Sequence, residues 1–192
     1  MKRCFFFSLI AFSLGLNAQN IQRDSVFNFG ANGLTDYVVV DIPNKTSAEA
    51  YKKTLDWISV TYKNPKDVVL SQIENQYIRI EGFNECLFQY KNLFATSCIR
   101  AKYQIEIFFK DNRYKFAVIK ITAYAPAAGY ATGGWIDFPI KGPNNFYDID
   151  GKPRKKNFES IGKSITDYFN MLNSSLHYFL NSNNIPSKGD DW

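Results

Sequence analysis

The sequence predicts an α+β domain with a curved, mostly antiparallel sheet and two helices on one face, in the order β-α-β-β-β-β-α. Three observations support this prediction. Five segments have the alternation or β-branched content of strands, two segments repeat apolar residues at helical spacing, and one tight turn joins the two clearest strands. Two helices that cover one face of a sheet leave the other face to solvent or to a partner.

The first strand and the first helix precede Pro65. Residues 37–42 are rich in β-branched side chains, which favour a strand. Thr46 and Glu49 then form the capping-box pattern, in which each side chain satisfies a free backbone N–H group at the start of a helix. Pro65 disfavours helical geometry in the residue before it and so ends this helix. The apolar stripe of the helix consists of Tyr51, Leu55, Ile58 and Tyr62.

Four further strands follow the first helix. Residues 68–73 and 77–82 are separated by a short polar turn, and residues 99–110 alternate apolar and polar side chains. Asp111-Asn112 is a plausible two-residue hairpin loop, because both residue types tolerate positive φ. This loop predicts three apolar cross-strand pairs, namely Phe109 with Tyr114, Ile107 with Phe116 and Ile105 with Val118. Beyond these pairs the apolar residues change phase at Ile119 and Ile121, which predicts a β-bulge.

The remaining segments complete the predicted organisation. Residues 125–157 are rich in glycine, proline and aromatic residues, which predicts a long irregular loop. Residues 158–181 carry a helical apolar stripe and form the final helix. We therefore expect a lead-in at residues 19–35, a single domain at residues 36–183 and a polar tail at residues 184–192. Hydrophobic residues make up 45% of the chain and charged residues 21%, so the composition is that of a globular protein.

Residues 1–18 have the pattern of a secretory signal peptide. Lys2 and Arg3 precede an uncharged apolar run, which is shorter than the ~20 residues of a membrane-spanning helix. Cys4 precedes this run, so it is not placed for lipid attachment. We therefore expect export to the periplasm or the cell surface, with no transmembrane span after signal removal. Loss of the two cations lowers the formal net charge from +5 to +3, which argues against a nucleic-acid partner.

Cys86 and Cys98 remain after signal removal. An even number of cysteines in an exported chain favours a disulfide. However, Cys98 lies on the polar face of its strand, whereas Cys86 has the parity of the apolar face. A disulfide therefore requires a shift of strand phase by one residue between them, for which Gly82 is a candidate position. The alternative is a pair of small buried thiols, and the sequence leaves both open.

Several motifs resemble those of a known family. They are Tyr37-Val38-Val39, Tyr51, Trp57, Asn64-Pro65-Lys66-Asp67, Ile78-Arg79-Ile80-Glu81-Gly82 and the hairpin Phe108–Phe116. Over residues 35–125 the chain resembles a family of exported bacterial domains of unknown function with a TATA-binding-protein-like (TBP-like) fold. The resemblance implies the element order given above, and it brings neither an established activity nor functional residues. A fold name alone does not imply DNA binding.

Candidate catalytic motifs are weak. His177 is the only histidine and lies beside the apolar stripe of the last helix. The glycines of residues 129–134 lack the lysine of a phosphate-binding loop. Asp148 and Asp150 resemble a calcium loop, but the distal glutamate is absent, so an ordinary turn is favoured. We therefore predict no catalytic residue, no cofactor and no metal site.

The aromatic loop and the exposed sheet face supply the candidate ligand- or partner-binding residues. These are Tyr124, Tyr130, Trp135 and Phe138 from the loop region, with Arg79 and Arg100 from the sheet face. Tyr and Trp give large contact areas and are enriched at interfaces. The alternative is that the loop folds over the end of the sheet and buries its rings.

These features favour a non-enzymatic, exported binding or interaction domain with a protein or glycan partner in the cell envelope. One alternative is an envelope or glycan hydrolase that uses Glu81 and Glu106. It requires a pocket that joins the two carboxylates and a raised pKa on one of them. Another alternative is a structural subunit of an envelope assembly, which predicts oligomerisation.

Overall fold

The structure is a computed structural model that describes residues 25–91, 96–130, 132–148 and 150–182. The signal peptide, with its Cys4, and the polar tail predicted at residues 184–192 lie outside the described residues. The elements are β1 (Phe29–Gly30), β2 (Gly33–Leu34), β3 (Val38–Asp41), α1 (Ser47–Thr61), α2 (Pro65–Val68), β4 (Val69–Ile73), β5 (Tyr77–Lys91), β6 (Thr96–Lys110), β7 (Arg113–Ala125), β8 (Gly134–Asp137) and α3 (Lys156–Asn181).

Six of these strands form one antiparallel sheet. The order is β3-β7-β6-β5-β4, and β8 pairs with the C-terminal end of β7. The predicted α+β fold with the order β-α-β-β-β-β-α is confirmed for β3, α1, β4 to β7 and α3. The structure adds the β1–β2 hairpin, the short helix α2 and β8. It also extends the strand predicted at residues 77–82 to Lys91.

The β6–β7 hairpin has the predicted register. All three predicted pairs, from Phe109 with Tyr114 to Ile105 with Val118, are present. Asn112 in the turn has φ 64°, a left-handed conformation that asparagine tolerates. The predicted bulge is present as well, because Gln104 pairs with Lys120 while Ile105 pairs with Val118. Ile119 is therefore the additional residue.

The two long helices pack on one face of the sheet, here called the inner face. Ile80, Ile105 and Phe116 from this face are fully buried, as are Trp57 of α1 and Phe169 of α3. Trp57 also donates a hydrogen bond from Nε1 to Ser175 Oγ at 3.1 Å, which joins the two helices. The opposite face, the outer face, carries the polar residues of β5 and β6, as the alternation of these strands predicts.

A row of tyrosine hydroxyls crosses the core beneath the sheet. The Tyr103 hydroxyl lies 3.2 Å from the Tyr62 hydroxyl and 2.8 Å from the Tyr168 hydroxyl. Burial raises the pKa values of Tyr62 and Tyr103, so both stay neutral. The Tyr103 ring lies directly against the backbone of Gly82, at a position where a side chain would collide with it. Gly82 therefore provides the space for this ring.

Residues 29–34, which belong to the expected lead-in, form the β1–β2 hairpin. Phe27, just before it, is buried and contacts the rings of Phe116 and Phe169, with centroids 5.9 and 6.3 Å apart. Leu34 is buried as well, and its N–H group donates to the Ile140 carbonyl at 2.8 Å. This segment therefore contributes apolar side chains to the core of the domain.

Cys86 and Cys98 form a disulfide, with their Cα atoms 4.7 Å apart. The register of β5 with β6 shifts between Asn84, which pairs with Ala101, and Phe88, which pairs with Ile99. Three residues of β5 thus face one residue of β6, and this bulge breaks the alternation that kept the two cysteines on opposite faces. The suggested position of the break at Gly82 was wrong, because Gly82 pairs in regular register with Tyr103.

Candidate functional site

The outer face of the sheet carries a cluster of exposed rings and cations at the end near β8. The long helices lie on the inner face, so they do not cover this cluster. We call the cluster the aromatic patch, and its members are Phe83, Arg100, Lys102, Tyr124 and Trp135. Three neighbouring strands and β8 each contribute at least one of them.

Strand β8 brings Trp135 into the patch. Trp135 pairs directly with Tyr124 of β7, and the ring centroids are 5.4 Å apart in an edge-to-face arrangement. The Phe83 ring of β5 lies 6.3 Å from the Trp135 ring, also edge to face. Trp135 is 40% exposed and Phe83 is 46% exposed. The rings therefore hold one another in place while much of their surface remains in water.

Two cations lie over these rings. The Arg100 guanidinium is 4.0 Å from the Tyr124 ring centroid, and Lys102 Nζ is 5.1 Å from the Trp135 ring centroid. The negative faces of aromatic rings attract cations at such distances. Among the described residues, neither cation has a carboxylate within ion-pair distance. The patch therefore offers positive charge together with apolar surface.

The other rings of the predicted loop separate into two groups. Phe138 is half-buried, with its ring centroid 4.7 Å from that of Phe88 and 5.1 Å from that of Phe146. Tyr147 is buried, whereas Tyr130 is exposed. Part of the loop therefore folds over the end of the sheet, as one reading of the sequence expects, while Trp135 lies on the outer face. Phe138 and Tyr130 are not members of the patch.

Arg79 lies further along the outer face, in a network with Tyr77 and Glu106. Arg79 Nη2 donates to Glu106 Oε1 at 2.6 Å, and the Tyr77 hydroxyl donates to the same oxygen at 2.8 Å. Partial burial acts to raise the pKa of Glu106, but the hydrogen bonds from Arg79 and Tyr77 outweigh it and hold this pKa below its ordinary value. Glu106 is therefore ionised at neutral pH.

This geometry gives no support to the hydrolase alternative. An ionised Glu106 held by Arg79 lacks the raised pKa of a general acid. Glu81 accepts a hydrogen bond from Gln104 Nε2 at 3.0 Å. Neither carboxylate lines the groove beside the β1–β2 hairpin or the groove beside the β6–β7 turn. Within the same residues, no group of three or more His, Cys, Asp or Glu side chains is placed to hold a metal ion.

The structure also shows the positions of Asp148 and His177, two residues considered as candidates from the sequence. Asp148 Oδ1 accepts a hydrogen bond from the Lys152 N–H group at 2.7 Å, so this aspartate closes the turn that the sequence favours. His177 lies on α3 and is partly exposed.

No helix in the described part of the chain is both long enough and apolar enough to cross a membrane.

The sequence-based candidates omit Phe83 and Lys102. Lys102 belongs to the polar face of β6, which the alternation predicts to be exposed, but nothing local indicates a ring above it. Phe83 comes directly after the strand predicted at residues 77–82, so the sequence assigns it to no element. The signal that could identify Phe83 is its parity, because it shares the outer face with Arg79 and Glu81 on a strand that continues past Gly82.

Comparison with known proteins gives a match to one family over part of the chain and a similar fold. Residues 37–124 match the family described as a domain of unknown function (DUF4468) with TBP-like fold. The crystal structure of a DUF4468 family protein from Bacteroides ovatus is similar, with a TM-score of 0.60 and 13% identity, over 81% of this chain and 93% of that chain. A TBP-like protein from Parabacteroides distasonis has a TM-score of 0.53 and 14% identity, over 76% of this chain and 91% of that chain. These identities support the fold alone, and no curated protein matches the chain.

Proposed function

We propose that the chain, which matches the DUF4468 family with a TBP-like fold over residues 37–124, is a non-enzymatic, exported binding domain that docks a protein of the cell envelope. The aromatic patch is the proposed contact surface. Export is part of the proposal, and the signal-peptide pattern of residues 1–18 supports it. The family description gives no activity, and the support for binding comes from the surface chemistry of this chain.

One observation carries the proposal: exposed rings and cations without carboxylate partners lie together on a sheet face that the helices do not cover. Trp, Tyr and Arg are the residues most enriched in the energetically important centres of protein interfaces. Trp135, Tyr124 and Arg100 are in direct contact with one another or with a shared ring. Such a group can bury apolar area and neutralise an acidic side chain of the partner at the same time.

The positive charge of the patch favours an acidic partner surface. Arg100 and Lys102 contribute two positive charges, and two acidic residues of the outer face are already engaged, with Glu81 bonded to Gln104 and Asp137 paired with Lys120. Opposite charges across an interface steer association and select partners. Binding should therefore weaken as the ionic strength rises.

The test is patch-dependent crosslinking in the native envelope. The full chain is expressed in a bacterial host, crosslinked, purified and analysed by mass spectrometry, alongside Trp135→Ala and the control Tyr178→Ala. Tyr178 is 75% exposed on α3, away from the sheet. We expect one partner to be recovered with the wild-type chain and with Tyr178→Ala, and to fall at least about tenfold with Trp135→Ala, in line with a loss of about 1.4 kcal/mol or more at an interface centre.

Circular dichroism and thermal melting of Trp135→Ala must show a folded chain for this result to count. A partner that is captured equally by both variants would exclude the patch as the contact surface. If Trp135→Ala unfolds, Trp135→Phe keeps a ring in the patch while removing the larger indole, and the same comparison applies. A glycan recovered in place of a protein would overturn the choice of partner class.

A further inference from the structure

A second cluster of rings and cations lies at the opposite end of the outer face. It forms a groove of about 520 Å³ beside the β6–β7 turn, bordered by β3. We call it the basic groove, and its lining includes Tyr37, Phe108, Lys110, Arg113 and Lys115. Lys102 of the aromatic patch and Lys110 of the groove are eight residues apart on β6, which separates them by roughly 26 Å.

The arrangement of cations in the groove is unfavourable without a ligand. Lys110 and Arg113 are directly opposite each other across the β6–β7 pair, where like charges repel. Lys115 lies two residues beyond Arg113 on the same face. Among the described residues, none of these three cations has a carboxylate within ion-pair distance. An anion in the groove would relieve the repulsion.

The carboxylates near the groove neutralise its charge only in part. Asp41 pairs with Arg113 in the backbone register of β3 and β7, but their side chains are not among the ion pairs of the described residues. Glu106 acts on Lys115 at longer range, yet its oxygen is bonded to Arg79 at 2.6 Å. The groove therefore retains positive charge.

Two rings hold the ammonium group of Lys115 in place. Its Nζ lies 4.0 Å from the Phe108 ring centroid and 5.3 Å from the Tyr37 ring centroid. A cation fixed between two rings has a defined position before any ligand arrives, so less conformational entropy is lost on binding. Tyr37 is about half exposed, and its ring can also contact an apolar part of a ligand.

From this geometry we infer that the basic groove is a binding site for a phosphate monoester attached to a ring or another apolar group. A phosphate monoester carries close to two negative charges and three acceptor oxygens on one small group, which suits three cations in a confined space. The Arg113 guanidinium can bind such a group through two hydrogen bonds, and the two lysines supply point charges. The volume of the groove is within the range of small-molecule sites. The ester can be free in solution or can be the headgroup of a lipid.

The test uses phenyl phosphate with the full chain in isothermal titration calorimetry at low salt. Inorganic phosphate and benzyl alcohol are the controls for charge without a ring and for a ring without charge. We expect phenyl phosphate to bind more tightly than either control. Lys115→Met keeps the aliphatic length between the rings, Arg113→Gln removes the guanidinium, and each should weaken binding at least about fivefold. Lys52→Ala removes one exposed charge from α1 and should leave binding unchanged.

Vesicles of phosphatidylcholine, with and without phosphatidic acid, distinguish the two sources of the ester. Binding to the phosphatidic acid vesicles that is lost in Lys115→Met would assign the groove to a lipid headgroup, whereas binding of phenyl phosphate alone would assign it to a soluble ester. The proposal is wrong if Lys115→Met and Lys52→Ala have equal effects, or if neither probe binds. Trp135→Ala is expected to retain phenyl phosphate binding, so this result is independent of the aromatic patch.

Discussion

The aromatic patch and the basic groove combine the same ingredients, rings and cations, at opposite ends of one sheet face. In the patch the rings contact one another, and the cations lie over rings that remain open to solvent. In the groove the cations are close together, and one of them lies between rings that border a concavity. Composition alone therefore does not distinguish a macromolecular contact from a small-ligand site. The shape of the surface does, because protein interfaces are broad and ligand sites are concave.

The two ends also have different structural supports. The patch depends on β8, which places Trp135, and on the disulfide-linked bulge of β5, which lies next to Phe83 and Arg100. The groove depends on the β6–β7 turn and on the pairing of β3 with β7. A change near one end should therefore leave the other end intact. The following predictions test this separation.

The largest effect is expected from removal of the disulfide. The two cysteines are 12 residues apart, and a closed loop of this size is worth about 3 kcal/mol through the entropy of the unfolded chain. Cys86→Ser/Cys98→Ser should lower the free energy of unfolding by about that amount in urea titrations. Because the bulge lies next to Phe83 along β5 and opposite Arg100 on β6, the double variant should also lose partner binding at the patch, while phenyl phosphate binding at the groove persists.

Reduction of the wild-type chain serves as the control for this prediction. A reducing agent should reproduce the stability loss of the double variant and should have no effect on the double variant itself. If the double variant lost both binding activities while folded, the two ends would be coupled, and the separation proposed here would be incorrect.

A smaller loss of stability is expected from Gly82→Ala, which places a side chain in the space that the Tyr103 ring occupies. The Cβ atom of an alanine at position 82 would collide with the Tyr103 ring, and overpacking of this kind typically costs about 1–3 kcal/mol. Gly82→Ala should lower the urea midpoint and disturb the adjacent Phe83, hence the patch. Gly134→Ala is the matched control, because its Cβ would meet no atom within 4 Å. Equal effects of the two substitutions would contradict the packing argument.

The same structural elements show which parts of the fold can be predicted from the sequence and which cannot. The β6–β7 register could be predicted because a two-residue turn and strict alternation around Asn112 act locally and agree with each other. Strand β8 could not be predicted, because its four residues lie among glycines and prolines and depend on an available edge of β7. The two cysteines indicate that a shift of strand phase is needed for a disulfide, but its position at residues 84–88 could not be predicted, since strand pairing between β5 and β6 decides where additional residues are accommodated.

The candidate site, like the fold, could be predicted from the sequence only where local residue patterns decide it. Tyr124, Trp135 and Arg100 were predicted from residue type and strand face, and the structure brings them together in one patch. The basic groove was not predicted, because it arises where β3 pairs with β7, far away in the sequence. Phe138 was included because it is aromatic, yet its neighbours Phe88 and Phe146 become clear only once the loop is folded.

The Arg79–Glu106 ion pair lies between the two ends and gives a prediction about pH. Because the pKa of Glu106 is lowered in the folded chain, its ionised form stabilises the fold at neutral pH. This contribution is present above the ordinary pKa of 4.5 and is lost as the pH falls through the lower folded value. Glu106→Gln should therefore lower the urea midpoint at pH 7, by less than Gly82→Ala does, and the difference from the wild type should shrink as the solution is acidified below pH 4.5.

Glu106→Gln also distinguishes the two ends by charge. Glu106 interacts electrostatically with Lys115, so its neutralisation should make the groove more positive and tighten phenyl phosphate binding. Partner binding at the patch should change less, since Lys102 and Arg100 lie further along β6. A stability difference that persists unchanged into acid would show that Glu106 contributes by packing instead of by charge.

The smallest effect is expected from the contact between Arg100 and Tyr124. A cation over a ring at an exposed site is worth about 0.5–1 kcal/mol, so Arg100→Gln alone should shift the unfolding free energy only slightly. A double-mutant cycle with Tyr124→Leu isolates the pair, and we expect a coupling energy near the lower end of that range. In the groove, Lys115 lies between two rings, so the cycle of Lys115→Met with Phe108→Leu should give the larger coupling. A larger coupling energy for Arg100 with Tyr124 than for Lys115 with Phe108 would mean that the patch, and not the groove, holds its cation in a fixed position before a partner binds.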